Sequence, residues 1–229
     1  MDAMMPVGGT VVLLRDRQAG GFETLLIRRP DHGSFAGGWV FPGGIVEDGD
    51  FAFHPDFAFH PDFALGEAET ALDDSDEQSI AARAAIRECE EEVGVRPADL
   101  VTLSCWIPPV EAPKRVRTWF FLAPAPDAEL VLAVDEVMEV RWLTPSEALT
   151  LHEGGELKLF PPTWVTLQAL ADAENVAGAL AAASVPELYA THIIAGGVLV
   201  WGGDAEHPEG GEGHHRLETA ALPWNYQRD

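Results

Sequence analysis

The segment Arg87 to Val95, RECEEEVGV, constrains this chain more than any other. It closes the strongest helical pattern in the sequence, Asp76 to Val93. There Ile80, Ala84 or Ala85, Cys89 and Val93 can form one apolar stripe, and Gly94 supplies a natural helix terminator. Glu88, Glu91 and Glu92 stand at i, i+3 and i+4, so their carboxylates share a face. Two rules oppose that arrangement. Each like-charge pair costs an isolated helix about 0.2–0.5 kcal/mol, and the C-terminal end of a helix favours cations. Carboxylates gathered against both rules predict a compensating cation, and their density suits a hard ion such as magnesium. Arg87, at i, i+4 from Glu91, can hold that carboxylate by a charge-assisted bond. A solvated acidic helix face is the competing reading of any EEE run. The neighbours argue against it here, because a strand upstream runs into Phe41-Pro42-Gly43-Gly44, a loop able to bring bare backbone close to an ion.

The rest of the chain surrounds this helix with strands. Gly9–Leu14, Glu23–Arg28, Trp39–Phe41, Leu100–Trp106, Arg115–Leu122 and Glu136–Leu143 read as strands, and Ile193–Trp201 as a member of a closing strand pair. Shorter helices are expected at Ser146–Leu151, Thr163–Ala171 and Val176–Ala183, and a turn or mobile loop over Gly202–Gly213. Strands, one long helix, strands and then helices predict an α+β or layered α/β/α domain with a mixed sheet. An acidic, irregular stretch carries a direct duplication, FAFHPD at Phe51–Asp56 and again at Phe57–Asp62, and reads as an inserted surface loop. His54, Asp56, His60 and Asp62 within it have nothing to fix a metal geometry; the duplication reads as accidental, with a lid or partner contact by its phenylalanines as the alternative. His214 and His215, in a Gly-rich tail, read as solvated, and Trp39, Trp106 and Trp142 as core.

Charge narrows the partners. With 14 basic residues against 38 acidic ones the net charge is −24, which argues against nucleic acid and anionic membranes. A small anion remains compatible, since bound cations or a local basic patch reverse the potential inside a cleft. The candidates for that patch are Arg28 and Arg29, which end a strand close to the carboxylates, and Lys114, Arg115 and Arg117, the densest basic cluster in the chain. Cys89 and Cys105 form no CxxC and look like small core hydrophobes, which fits a reducing cytoplasm. No leader-like start is read at the N-terminus, and Ile193–Trp201 is about half the ~20 residues a membrane span needs.

Together these segments resemble the Nudix box, G-x5-E-x7-R-E-U-x-E-E-x-G-U, where U is aliphatic. Arg87, Glu88, Glu91, Glu92, Gly94 and Val95 match its second half, with Cys89 at the first U. Gly43-Gly44, Glu47 and Gly49 match its opening. The departure is an insertion between the halves, at about 51–75. The box glutamate therefore falls at Asp50 counted from Gly44 and at Ser79 counted back from Arg87, so Glu47 or Asp50 would have to take its part. The resemblance implies a Nudix-type α/β/α sandwich over residues 1–147, followed by a helical and strand extension, 148–229, that shapes substrate access or a dimer interface. It implies a magnesium-dependent diphosphatase, with manganese as substitute metal. Its metal ligands would be Glu88, Glu91, Glu92 and the Gly44 carbonyl, oriented by Arg87. Glu88 or Glu136 would be the base, and Arg28, Arg29, Lys114 and Arg115 would meet the substrate. The Leu25–Gly44 run, the split box and Pro161–Leu170 further resemble the coenzyme A diphosphatase branch, implying cleavage of coenzyme A or an acyl-CoA. The rivals are an ADP-ribose or nucleotide-sugar hydrolase and a non-catalytic ligand sensor. A homodimer and a cytoplasmic location complete the expectation.

Overall fold

The run GTVVLL has no polar alternation because β1 (Val7–Asp16) is covered on both faces. In a computed structural model, which describes residues 5–51, 74–183 and 185–229, this strand is the middle of a mixed sheet. Its partners are β2 (Phe22–Arg28), β3 (Trp39–Val40), β4 (Gly43–Ile45), β5 (Val101–Ile107), β6 (Arg117–Pro124), β7 (Glu139–Leu143) and β8 (Glu187–Ala190). The order is β3-β2-β1-β6-β5-β8, with β4 paired to β1 and β7 to β2. The pairs β1–β6 and β5–β8 are parallel and the others antiparallel.

Alternate residues of the sheet feed separate cores. Val11 and Leu13 of β1, Leu25 and Ile27 of β2, and Trp119 and Phe121 of β6 pack against Ala81, Ala85, Cys89 and Val93 of α1 (Asp74–Val93). Val12, Leu14, Phe22, Leu26, Phe120 and Leu122 face the other way. They meet α2 (Pro145–Glu153), α3 (Pro161–Leu170) and α4 (Val176–Ala182), together with Trp201 and Leu217. The result is the α/β/α layering expected from the element order. The helix α1 lies directly on the β1 backbone: a Cβ on Gly9 would overlap the Ala81 carbonyl. Gly94 ends α1 at φ 72°, its N–H returning to the Glu90 carbonyl.

Several expectations need correction. Pro42-Gly43-Gly44 is not only a breaker: Gly43 and Gly44 pair with Thr10 and Gly9, so the chain re-enters the sheet at once. The strand expected from Glu136 starts at Glu139, leaving Glu136 in the preceding turn. Ile193–Trp201 is two strands, β9 (His192–Ile194) and β10 (Val198–Val200), reversed through Gly196 and Gly197 at φ 85° and 77°. With β11 (His215–Glu218) and β12 (Asn225–Arg228) they form a second sheet, ordered β12-β11-β10-β9. His215 is therefore buried in β11, its Nδ1 3.0 Å from the Gly202 carbonyl, whereas His214 is exposed. The Gly202–Gly213 stretch is pinned rather than loose. Asp204 is fully buried and accepts from Arg216 Nε at 2.8 Å and Nη2 at 2.6 Å.

Trp39 and Trp106 are core, and Trp142 is half-buried beneath the Arg15 guanidinium, 4.0 Å above its ring. Cys89 and Cys105 are buried free thiols. Among the described residues no helix is long and apolar enough to cross a membrane. The FAFHPD duplication, apart from Phe51, lies outside the described residues.

Candidate active site

The last turns of α1 cross the end of β4, and a cluster of carboxylates forms where they meet. Oxygens of Glu88, Glu92 and Glu136 lie within 4.8 Å of one another. Glu92 is fully buried, Glu88 largely buried and Glu136 exposed. Gly44 is part of the floor: a Cβ there would overlap the Glu88 carboxylate and push it from its place in the cluster. The Gly43 N–H donates to Glu92 Oε2 at 2.9 Å, and Arg29 Nη1 bonds Glu92 Oε1. Glu136 is brought in by the loop from β6 to β7. That loop is anchored on the end of α1 by Val131 N–H to Val93 O at 2.9 Å and Ala133 N–H to Glu92 O at 3.0 Å.

A second group of contacts locks the outer side of the helix. The Arg87 guanidinium donates to Asp50 through Nε at 3.1 Å and Nη2 at 3.0 Å. It also donates to Glu88 Oε1 at 3.0 Å, Glu91 Oε2 at 2.9 Å and the Ile45 carbonyl at 3.0 Å. Asp50 is itself fixed: only 4% exposed, it accepts from the Glu47 N–H at 2.8 Å, and Arg83 Nε bonds its carbonyl. Of the two residues open to the arginine-holding part, Asp50 takes it, while exposed Glu47 bonds Asp50 through its main chain.

The electrostatics favour a cation at the cluster. Burial pushes the Glu92 carboxyl up to about 7, against the lowering effects of Arg29 and the Gly43 N–H. Burial also raises Glu88, opposed by Arg87 and reinforced by Glu91 and Glu136. Arg87 is held still more firmly protonated than usual, chiefly by its hydrogen bond to Asp50. Arg29 and Arg87 offset part of this burial, and a further cation between carboxylates this close would favour their charged form. The donor set, all oxygen, suits a hard divalent ion. Such an ion would be held by Glu88, Glu92 and Glu136.

The positions of the sequence candidates follow. Glu88, Glu92 and Gly44 converge, as does Glu136, reached from a turn rather than a strand. Glu91 stands outside the close group, with its side chain 57% exposed and bonded to Arg87. Arg29 faces the carboxylates through Glu92, and Arg28 pairs with Asp31 at 2.8 Å. Arg115 braces its own hairpin by donating to the Pro108 carbonyl at 3.3 Å, and Arg117 pairs with Glu77 at 3.4 Å. Lys114 reaches Ser34 Oγ at 3.5 Å. Sequence reasoning missed Lys158, whose Nζ donates to the Ala36 carbonyl at 3.0 Å in the same loop. It also missed that Arg29 is already bonded to Glu92, because the two lie 63 residues apart.

Comparison with known proteins bears on the fold. The family model described as NUDIX domain matches residues 74–175, beginning at the first residue of α1. A solved structure described as a NUDIX hydrolase from Alicyclobacillus acidocaldarius superposes with a TM-score of 0.61 at 24% identity. The match covers 81% of this chain and 99% of that one. A second, described as a MutT NUDIX hydrolase from Burkholderia pseudomallei, gives 0.49 at 21% identity, over 72% of this chain and 98% of that one. No curated protein matches the chain significantly. The fold is a Nudix fold.

Proposed function

We propose that this chain is a magnesium-dependent Nudix hydrolase that cleaves the diphosphate linkage of a nucleotide-containing substrate, with coenzyme A or an acyl-CoA as the substrate class. The observation that carries the reading is the convergence of Glu88, Glu92 and Glu136 within 4.8 Å, on a Nudix fold, over a strand kept bare at Gly44. A bound divalent ion would clamp phosphate oxygens there and lower the pKa of an attacking water. The chain's own residues supply the rest. Arg87, held by Asp50, fixes Glu88 and Glu91, and Arg29 lies where a phosphate oxygen could replace the Glu92 carboxylate as its partner. Glu136, the exposed member of the cluster, is best placed to take a proton from water entering from solvent. The coenzyme A class rests on the Leu25–Gly44 and Pro161–Leu170 segments and on the split box.

The test is a product assay with magnesium. Coenzyme A, acetyl-CoA, ADP-ribose, NADH and a nucleotide sugar are offered, and products are resolved by mass. Release of adenosine 3′,5′-bisphosphate from a CoA, abolished in Glu92→Gln, is the expected result. Cleavage of ADP-ribose or a nucleotide sugar alone would keep the chemistry and overturn the substrate class. Tight binding without turnover would mark a ligand sensor instead.

A further inference from the structure

The chain has two lysines, Lys114 and Lys158, 44 residues apart, and the fold brings both to one short loop. That loop runs from Pro30 to Gly38, between β2 and β3. Lys114 Nζ lies 3.5 Å from Ser34 Oγ, and Lys158 Nζ donates to the Ala36 carbonyl at 3.0 Å. Ser34 and Ala36 are separated by one residue, so their Cα atoms are within about 7.6 Å. Neither ammonium has a carboxylate partner among the described residues, although the chain carries 38 acidic side chains. Both are exposed. Most other cations here are paired: Arg29 with Glu92, Arg87 with Asp50, Arg96 with Glu90, Arg216 with Asp204 and Arg228 with Glu187.

Position adds to this. The loop follows directly on Arg29, which bonds the buried Glu92, so it leaves the sheet at the carboxylate cluster. The hairpin carrying Lys114 packs Val116 near Gly8, next to Gly44. Lys158 is tethered on the other side: its carbonyl accepts from the Trp39 N–H at 2.9 Å, and its ammonium lies 5.3 Å from the Phe160 ring, which stacks edge-on with Phe35 at 4.9 Å. Two ammonium groups without carboxylate partners therefore flank one loop that leaves the sheet beside the candidate active site, its own carboxylate, Asp31, being paired with Arg28, in a molecule of net charge −24. Field of that sign, so placed, selects an anion.

We propose that Lys114 and Lys158, across the 30–38 loop, form a second anion subsite. It would bind a phosphate monoester carried by the substrate away from the scissile diphosphate. The inference rests on the diphosphate-hydrolase reading and adds to it a preference for substrates that carry a further phosphate monoester. A phosphate dianion, with several strong acceptor oxygens, can use two ammonium groups as point-charge donors.

The experiment pairs ligands that differ by that one phosphate, in the full chain. Calorimetry compares adenosine 3′,5′-bisphosphate with AMP, and kinetics compare coenzyme A with dephospho-coenzyme A. The wild type is expected to prefer the phosphorylated member of each pair by roughly tenfold, the order for exposed charge-assisted contacts. In the Lys114→Ala/Lys158→Ala double variant that preference should vanish, through KM with kcat unchanged, and Lys114→Arg/Lys158→Arg should restore part of it. Thermal unfolding checks that the variants fold. A preference that survives the double variant overturns the proposal, as does an equal loss for both members of a pair. If the wild type cleaves neither coenzyme, the coenzyme A class fails. The subsite is then decided by calorimetry alone, where equal affinity for AMP and the bisphosphate overturns it.

Discussion

Arg87 joins both halves of a motif that the sequence holds far apart. Its guanidinium touches Asp50 and Ile45 on one side of the insertion and Glu88 and Glu91 on the other. Without the Asp50 carboxylate, only the Ile45 carbonyl would counter the pull of Glu88 and Glu91 on the guanidinium. Asp50→Ala should therefore lower turnover and metal affinity by about 10–100-fold, as loss of an outer partner of a ligand commonly does. Paired kinetic and metal titrations on folded protein check this; an unchanged kcat would remove Asp50 from the site. Counting residues left Asp50 and Ser79 level, because an insertion leaves the register of the halves to tertiary packing. Glu92 gives a second prediction at this scale. Its carboxyl is raised to about 7 from the ordinary 4.5, so the folded, metal-free protein binds that proton more tightly than the unfolded chain. Its contribution is fully favourable below about 4.5 and is lost as pH rises towards 7, on the order of 3 kcal/mol in all. Metal binding needs the carboxylate, so affinity for magnesium should fall as pH drops through 7. Denaturant melts at pH 5 and 8, with and without magnesium, should show the metal stabilising mainly at pH 8, and Glu92→Gln should flatten the metal-free slope.

The helix α1 depends on how closely it can approach the sheet. A Cβ at Gly9 would overlap the Ala81 carbonyl and crowd the Ala85 nitrogen, both main-chain atoms that cannot step aside. Gly9→Ala should lift the helix, costing about 1–3 kcal/mol, which for a chain of this length lowers Tm by about 2–4 °C per kcal/mol. Because α1 carries Glu88 and Glu92, the cluster opens with it. Calorimetry and metal binding should therefore fall together, and a melting point left unchanged would mean the contact is slack. This helix was legible because its apolar stripe and its terminating glycine agree, and β1 because a strand covered on both faces is a continuous apolar run. The start of β7 was less so. Val137 is buried and continues the apolar pattern, but it belongs to the turn that presents Glu136. The β9–β10 reversal was hidden because Gly196 and Gly197 interrupt a run that is apolar on either side. His215 and Lys158 were unreadable for a shared reason: what they touch, Gly202 and Ala36, is decided by the packing of separate layers.

At the scale of the whole molecule, the question is whether residues 148–229 are an appendage or part of one folding unit. The sheet face built by Val12, Leu14, Leu26, Phe120 and Leu122 is covered by Leu157, Leu159, Trp164, Val165, Leu167 and Leu170 from the later segment, all buried. The edge strand β8 also comes from there, pairing Leu188 with Cys105 and Tyr189 with Trp106, and Tyr189 stacks on Trp106 at 4.0 Å. Asp16 of β1 accepts from the Val176 N–H at 2.9 Å, across 160 residues. Cutting after Glu147 would divide α2 just past its capping box, whose Thr144 and Glu147 are bonded at 2.8 Å. Each large side chain left uncovered forfeits about 1.5–3 kcal/mol, and a domain has only about 5–15 kcal/mol in all. A chain ending at residue 147 should therefore lack a cooperative unfolding transition and bind a hydrophobic dye, even though it retains Gly44, Arg87, Glu88, Glu92 and Glu136. Sharp unfolding of that fragment, with magnesium raising its melting point, would instead make the later segment a separable addition, and its influence on substrate choice could then be measured by adding it back.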